Sequence, residues 1–468
     1  MYRIAYCSPL NPVASGISDY SEELLPYLGQ YVEIDLFVDR GMTPSNANLR
    51  RALPVLPLDM LPARHARQPY AAVIYHMGNS PVHSAIYAML GRVPGVVVLH
   101  DWVLHHFKLG YRAVQHDLDG YKAELHGRYG AAGRRAAERM LRGQLTDAVF
   151  GMPLNEDVLN RALGLIGHSH FLVERARVVR PELPVALVPM GVPLPPVIEP
   201  IAARTMLGLG SGPIWASFGH INPYKRVEPA LQAFRQLRTV FPQAQYLLVG
   251  SVSPHYDLDS IIKQLGLTDA VMVTGYVPPP VFNSYVAAAE LCLNLRYPTA
   301  GETSASLLRL LAAGRPTLVS ATDAFLELPD AVCPKVDPDR SEQALIYHYA
   351  HLLHTTPALA VALGANARAF VAREHTLPRA AQEYVRFLAQ LYGWALPEPS
   401  RPTLWEVLPE PFYGSTTTSS RPGPMSSSSV TLDPALSSVA QALTALGVTT
   451  DDDLALGDIA AIVTGLLT

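Results

Sequence analysis

The sequence predicts an α/β fold of two doubly wound domains that face a cleft, followed by a small helical tail. Three observations indicate this fold. Short apolar runs alternate with longer amphipathic stretches, which is typical of parallel strands with helices packed on the sheet. The alternation stops at a proline-rich segment near residue 190 and then restarts. With 468 residues, the chain is also too long for one ordinary core.

Residues 1–195 are predicted to form the first domain. Its strands are expected at Arg3 to Tyr6, Val32 to Val38, Ala72 to Tyr75, Val96 to Leu99, Leu165 to Gly167 and Val185 to Val188. Helices are expected from Ser18 to Leu28, after Pro81 and after Ser169, and residues 102–163 read as mostly helical. The segment VPMGVPLPPVIEP follows and cannot continue a helix or a central strand, so it is predicted to link two domains.

Residues 196–396 are predicted to form the second domain, with the last helix free to return to the first. Its strands are expected at Ile214 to Phe218, Gln245 to Val249, Val271 to Thr274, Leu291 to Leu295 and Thr317 to Val319. A ligand is expected in the cleft that faces the carboxyl ends of the strands.

The composition changes near residue 397. Residues 397–432 include GSTTTSSRPGPMSSSS, which has little to bury and is predicted to be a flexible linker. Residues 433–468 are predicted to be a small helical segment, because Asp433, Pro434 and Gly447 are typical of helix ends. A segment this short has little core of its own, so it is expected to bind a partner, to dimerise, or to do neither.

Charge and cysteine content exclude several classes of protein. The 36 Lys and Arg residues nearly balance the 40 Asp and Glu residues, so no nucleic-acid partner is expected. The three cysteines lack the spacing of a zinc site or a disulfide framework and are expected to be buried thiols. Neither a signal peptide nor a spanning segment is recognisable. A cytoplasmic location is therefore expected, while peripheral membrane contact stays open.

Two segments of the second domain carry candidate anion-binding groups. In FGHINPYKRV, a glycine turn after a strand leads to Lys225 and Arg226 at the start of a helix, where free backbone amides favour an anion. In LRYPTAGETSASLL, Gly301 permits close approach of the backbone, while Thr303 and Ser304 add hydroxyl groups beside a second helix start. Ordinary solvated or capped helix ends would give the same patterns.

Taken together, the motifs resemble one family. SPLNPVASGISDYSEELL, VVLHDWVLHH, GHSHFLVERA, VPMGV, FGHINPYKRV, VTGYV and GETSASLLRLLAAGRP occur in the order found in retaining glycosyltransferases of the GT-B architecture, family 4, also described as glycosyl transferases group 1. The resemblance spans residues 1 to about 393. It implies two Rossmann-like domains, with the acceptor in the first and the nucleotide-sugar donor in the second.

The resemblance also implies roles for individual residues. Gly16 matches the glycine that approaches the donor diphosphate, and Lys225 matches the lysine that neutralises it. His100 matches a histidine that contacts the transferred sugar, and Glu302 with Thr303 and Ser304 resembles the segment that engages sugar and phosphates. In VTGYV, the triplet Gly275, Tyr276 and Val277 resembles the border of the base site. Turns, helix caps or a packed aromatic remain alternatives for these positions.

Two positions depart from the family pattern. His220 stands where the family has a second phosphate-binding arginine, and Arg226, directly after Lys225, is a candidate to compensate. Arg309 stands where the family has a ribose-binding glutamate, eight positions after the first glutamate of the pair, and Glu302 lies one place from that first position. Their effect on the donor site is left open.

The implied reaction needs no cofactor beyond the nucleotide-sugar donor and no metal, because basic side chains stabilise the leaving diphosphate. His105, His106 and His116 lack a convincing carboxylate or cysteine partner and are expected to be histidines on a helix surface. The acceptor is a carbohydrate, a lipid-linked molecule or a small metabolite. Two alternatives remain: a GT-B epimerase or phosphorylase, and a noncatalytic protein that binds sugar nucleotides or glycans.

Overall fold

The computed structural model describes residues 1–144, 147–254 and 256–399. The predicted helical segment at 433–468 lies outside the described residues, as does the predicted linker from residue 400 onward. None of the described helices is long and apolar enough to cross a membrane.

The first domain contains a seven-stranded parallel sheet with the order β3-β2-β1-β4-β5-β6-β7. Its strands are β1 Arg3–Cys7, β2 Glu33–Val38, β3 Val55–Pro57, β4 Ala72–Met77, β5 Val96–Leu99, β6 Gly164–Gly167 and β7 Val185–Leu187. Alternate residues of β1 pack into different apolar clusters, Ile4 into one and Ala5 into the other. Both faces of the sheet are therefore buried, as expected for parallel strands.

The second domain contains a six-stranded parallel sheet with the order β10-β9-β8-β11-β12-β13. Its strands are β8 Ile214–Phe218, β9 Gln245–Val249, β10 Val271–Gly275, β11 Leu291–Asn294, β12 Thr317–Ser320 and β13 Lys335–Val336. The short strands β3 and β13 were not predicted, because two or three residues carry no periodic signal.

Helices cover both sheets and fill the connections between strands. In the first domain they are α1 Gly16–Leu28, α2 Ala47–Ala52, α3 Leu61–Arg67, α4 Ser84–Leu90, α5 His105–Val114, α6 Leu118–Leu141, α7 Glu156–Arg161 and α8 His170–Val179. From residue 196 onward they are α9 Pro200–Leu207, α10 Val227–Leu237, α11 Leu258–Gln264, α12 Pro279–Ala288, α13 Ala305–Ala312, α14 Glu342–Thr355, α15 Pro357–Glu374 and α16 Leu377–Tyr392.

The strand orders fix the position of a ligand cleft. In the first sheet β1 lies between β2 and β4, and in the second β8 lies between β9 and β11. Successive connections therefore leave these central strands in opposite directions, and the loops at their carboxyl ends diverge and leave a crevice. The candidate active site lies at this edge.

The last described helix joins the two domains. α16 packs against α1 of the first domain, where the Tyr20 hydroxyl donates a hydrogen bond to the Tyr384 hydroxyl at 3.3 Å. Apolar residues of both helices belong to one buried cluster. The carboxyl-terminal end of the second domain is therefore anchored on the first.

The prediction of surface histidines on the helix after β5 was wrong for two of the three. His105 is fully buried and His106 is 4% exposed. The His105 ring contacts the Met152 carbonyl at 2.9 Å and the Tyr121 hydroxyl at 2.6 Å. The neighbouring helix α6 covers this face, which the sequence of α5 alone does not reveal. His116 is exposed.

Candidate active site

Loops from both domains meet at the carboxyl edges of their sheets. The loop after β5 reaches the loop after β11, and the Val103 amide donates a hydrogen bond to the Ala300 carbonyl at 2.8 Å. The first loop carries His100 and Asp101, while the second carries the segment from Arg296 to Ser304. Groups more than 190 positions apart in sequence therefore share one cleft.

Lys225 lies at the end of a single 3-10 turn, Pro223–Lys225, that precedes α10. Its half-buried side chain turns back to the strand end, and Nζ donates a hydrogen bond to the Phe218 carbonyl at 3.1 Å. Burial lowers the pKa of Lys225 well below its ordinary value; the Arg296 guanidinium adds to this shift, and the Glu302 carboxylate opposes it. A bound anion would favour the charged ammonium at this position.

Arg296 was not singled out from the sequence, yet it organises the cleft. Its guanidinium forms an ion pair with Glu302 and donates to the Ser304 hydroxyl at 2.9 Å. It is the second residue after β11, and a cation just past the end of a strand was the signal that the sequence offered. Lys225 and Arg296 are thus two basic side chains at the same edge of the second sheet.

Glu302, Thr303 and Ser304 lead into α13. One Glu302 carboxylate oxygen accepts the Ala300 amide at 3.0 Å, in addition to the ion pair with Arg296. The Ser304 hydroxyl accepts the Leu307 amide at 3.2 Å and so caps the helix, while Thr303 is half-buried between Glu302 and Ser304. Ser304 therefore caps α13, which was the alternative interpretation of this residue. The capped start of the helix still lies beside Arg296.

Gly301 is required for both conformation and space. Its φ of +75° belongs to the left-handed region that favours glycine. A Cβ at this position would lie 2.6 Å from Cε1 of Phe171 and 2.8 Å from Cβ of Trp102. Both neighbours belong to the first domain, so Gly301 allows the loop to pack tightly against that domain.

His100 and Asp101 lie opposite this loop. His100 is buried, and its Nε2 lies 2.9 Å from Nδ1 of His76; burial and the neighbouring histidines lower its pKa well below the ordinary value. Asp101 is partly accessible and accepts the Asn79 amide at 2.7 Å. Burial, and then the Glu302 carboxylate, raise the pKa of Asp101 to about 7.

Arg226 and the two residues that depart from the family pattern, His220 and Arg309, each contact a polar group of the protein. The Arg226 guanidinium forms an ion pair with Glu342, which is 2% exposed, so it is held within the second domain. Arg309 pairs with Glu23 of α1 at 2.7 Å and bridges the domains. Nδ1 of His220 lies 3.0 Å from the Ser251 hydroxyl. Arg296, rather than Arg226, is therefore the second cation placed beside Lys225.

The remaining predicted residues lie at the start of α1 and at the end of β10. Gly16 is the first residue of α1, is exposed, and has open space where a Cβ would be. Gly275 ends β10 with a φ of +70°, and Tyr276 after it is 70% exposed. Val277 is partly buried beside the apolar cluster under β8. Within the described part of the chain, no group of three His, Cys, Asp or Glu residues is placed to hold a metal.

One family model matches part of the chain. Residues 212–354 match the family model described as glycosyl transferases group 1, the family that the motifs resemble. No curated protein is similar enough in sequence to count as a relative. The matched residues lie within the second domain.

Solved structures share the fold over most of the chain. Sucrose-phosphate synthase from Thermosynechococcus elongatus is 19% identical with a TM-score of 0.60, covering 84% of this chain and 100% of that one. HepE from Anabaena, solved in complex with UDP, is 15% identical with a TM-score of 0.58, covering 83% and 100%. WaaG, a glycosyltransferase involved in lipopolysaccharide biosynthesis, is 16% identical with a TM-score of 0.54, covering 83% and 100%. The predicted GT-B fold of two Rossmann-like domains is confirmed.

Proposed function

We propose that this chain, which has the GT-B fold and matches glycosyl transferases group 1 over residues 212–354, moves a sugar from a nucleoside-diphosphate sugar to an acceptor hydroxyl with retention of anomeric configuration. The observation that carries the proposal is the pair of basic side chains at one edge of the second sheet, where a bound diphosphate would favour the charged form of Lys225. Lys225 and Arg296 lie beside the capped start of α13, opposite His100 and Asp101 of the first domain.

The chemistry follows from where charge develops. The bond between the anomeric carbon and the diphosphate oxygen breaks, and the bonding electron pair leaves with the diphosphate. The acceptor oxygen forms the new bond on the same face, and its proton passes to a phosphate oxygen of the leaving group. Preorganised cations that stabilise this leaving group lower the barrier directly. In this mechanism the protein supplies no carboxylate nucleophile.

A nucleotide partner is consistent with the neighbours, since HepE has been solved with UDP and with UDP-glucose. The ligand screen described below would identify the base and the sugar of the donor for this chain. We also propose that Gly275, Tyr276 and Val277 border the base, that Gly16 approaches the diphosphate, and that the protein is cytoplasmic. A role for Arg226 at the phosphates is not proposed, because its guanidinium pairs with the buried Glu342 and, unlike that of Arg296, is not among the groups that shift the pKa of Lys225.

The test combines binding with turnover. Thermal unfolding of the protein is followed with UDP, GDP, ADP, TDP and their common sugar conjugates, because a specific ligand raises the unfolding temperature by mass action. Nucleotide release is then measured with the conjugate that binds, with and without acceptors, and NMR of the product reports the anomeric configuration. Inverted product would refute retention, and the absence of any nucleotide shift would refute the donor site.

Lys225→Ala is the matching variant. Loss of one preorganised electrostatic donor is expected to lower the rate of transfer by about 10²- to 10³-fold. The fold should persist, because only the hydrogen bond to the Phe218 carbonyl is lost, worth about 1 kcal/mol. Lys263→Ala, on the exposed surface of α11, is the control and should keep full activity.

One observation favours a second candidate, a noncatalytic protein that binds sugar nucleotides. Arg309 is paired with Glu23 across the domains, and this segment offers no carboxylate at position 309 to a ribose. Nucleotide binding without release of nucleotide, across a broad panel of acceptors, would support this candidate over the enzyme.

A further inference from the structure

A cavity of about 190 Å³ lies beside the candidate active site, between the two domains. Aromatic rings and two charged side chains are prominent among its lining residues, which include Trp102, Phe150, Phe171, Arg175, Tyr297 and Asp323. The lining residues up to Arg175 belong to the first domain, and the others to the second. The cavity is therefore formed only when the two domains pack together.

The two charged groups of this cavity differ in exposure, because Arg175 is exposed and Asp323 is partly buried. Within the described residues, neither Arg175 nor Asp323 has an ion-pair partner of opposite charge. The Arg175 guanidinium lies 4.2 Å above the ring of Phe171, which holds it at the wall. One Asp323 oxygen accepts the Thr299 hydroxyl. Asp323 also has a φ of +45°, a conformation that costs free energy in a residue other than glycine and occurs more often at functional sites.

This combination fits one class of ligand. We propose that the cavity binds a sugar unit of the acceptor, so that the acceptor is a carbohydrate or carries one at its reacting end. A pyranose has apolar C–H faces that pack on aromatic rings, and a rim of hydroxyls that donate to a carboxylate and accept from a guanidinium. The volume is below the roughly 300–1,000 Å³ of pockets for drug-sized ligands, so one ring fits rather than a long chain.

Other ligands match the cavity less well. An acyl chain would cover the partly buried Asp323 carboxylate and leave it only the Thr299 hydroxyl as a polar partner, which is unfavourable. A phosphate would be repelled by the Asp323 carboxylate. A neutral ring with hydroxyls can form hydrogen bonds with both charged groups and pack against the aromatic walls.

The position of the cavity links it to the transfer reaction, and here the inference rests on the proposed function. Trp102 directly follows Asp101, and Gly301 directly precedes Glu302. The wall of the cavity and the polar groups of the active site therefore lie on adjacent residues of the same two loops. A sugar held here would lie against the two loops that carry Asp101 and Glu302.

The test is binding of the full-length protein to an array of immobilised oligosaccharides, with the preferred nucleotide present. The dissociation constant of the best oligosaccharide is then measured in solution for the wild type, Arg175→Ala and Asp323→Asn. Asparagine tolerates the left-handed conformation, so the second substitution removes charge while keeping the backbone. Arg177→Ala, two residues along α8 and exposed, is the matched control.

Both cavity variants are expected to weaken oligosaccharide binding at least tenfold, while Arg177→Ala stays within twofold and all three bind the nucleotide as the wild type does. Unchanged oligosaccharide binding in both cavity variants would overturn the proposal. So would the absence of any bound oligosaccharide on the array while a nucleotide still binds, or binding only to vesicles of an acidic phospholipid. If no nucleotide binds at all, it is the proposed function that fails.

Discussion

The raised pKa of Asp101 predicts a measurable dependence of stability on pH. Burial and the Glu302 carboxylate raise this pKa from 3.8 to about 7 in the folded protein. The folded state therefore holds a proton that the unfolded state releases between these two values, so stability falls as the pH rises from about 4 to about 7. Asp101→Asn removes the titrating group and with it this loss.

The size of the effect follows from the shift. One pKa unit corresponds to about 1.4 kcal/mol, so the full shift would make the advantage of the variant over the wild type grow by about 2 to 3 kcal/mol between pH 5 and pH 8. Asp101 is partly accessible, and solvent screening reduces this figure to about 1 kcal/mol. Any loss of the hydrogen bond from the Asn79 amide contributes at both pH values and largely cancels in the comparison.

The measurement is urea unfolding of both proteins at pH 5 and pH 8, followed by tryptophan fluorescence. Asp259→Asn changes an exposed carboxyl on α11 and serves as the control. An advantage of Asp101→Asn that is the same at both pH values would refute the reasoning. It would mean that water or a cation reaches Asp101 and keeps its ordinary acidity.

Three further predictions concern packing and buried charge. Gly301→Ala should destabilise the protein by about 2 to 4 kcal/mol, because the added Cβ would clash with side chains of the first domain and the residue has a positive φ. Gly127→Ala is the control and should leave stability nearly unchanged, because there is open space around Gly127. Thermal unfolding measures both variants. Arg309→Ala should leave the mostly buried Glu23 carboxylate unpaired and lower stability by about 1 to 3 kcal/mol. The loss should be larger at pH 8, where the carboxyl group is charged, than at pH 4. An equal loss at both pH values would contradict the pairing. Lys108 is 1% exposed and pairs with the Glu124 and Asp157 carboxylates, so Lys108→Met should cost about 3 to 5 kcal/mol in urea unfolding. A loss below about 1 kcal/mol would show that Arg112 and Arg128, which pair with the same carboxylates, compensate for the missing ammonium.

The fold was largely predictable because it depends on local patterns. Apolar runs such as Val96–Leu99 are too short for helices, and β-branched residues favour strands, so their regular spacing indicates a parallel sheet. The proline-rich segment near residue 190 marks the point where the pattern restarts. The burial of His105 was not predictable, since it depends on the position of α6 rather than on the sequence of α5.

The candidate site was predictable only in part. Glycine and lysine at strand ends are visible in the sequence, and Lys225 and Gly301 indeed lie at the cleft. The role of Arg226 was not visible, because its partner Glu342 lies more than a hundred positions away. Arg296 was overlooked because a single arginine after a strand has no periodic or spacing signal.

The sequence by itself therefore determined the two sheets, the position of the linker and the segments that carry chemistry, since each depends on residues near one another in the chain. The tertiary structure decided which of these segments meet. The Glu302 carboxylate raises the pKa of Asp101, and Arg309 pairs with Glu23, only because the two separate domains face one another. Burial and Coulomb interaction depend on distance in space, and neither is written in the spacing of residues along the chain.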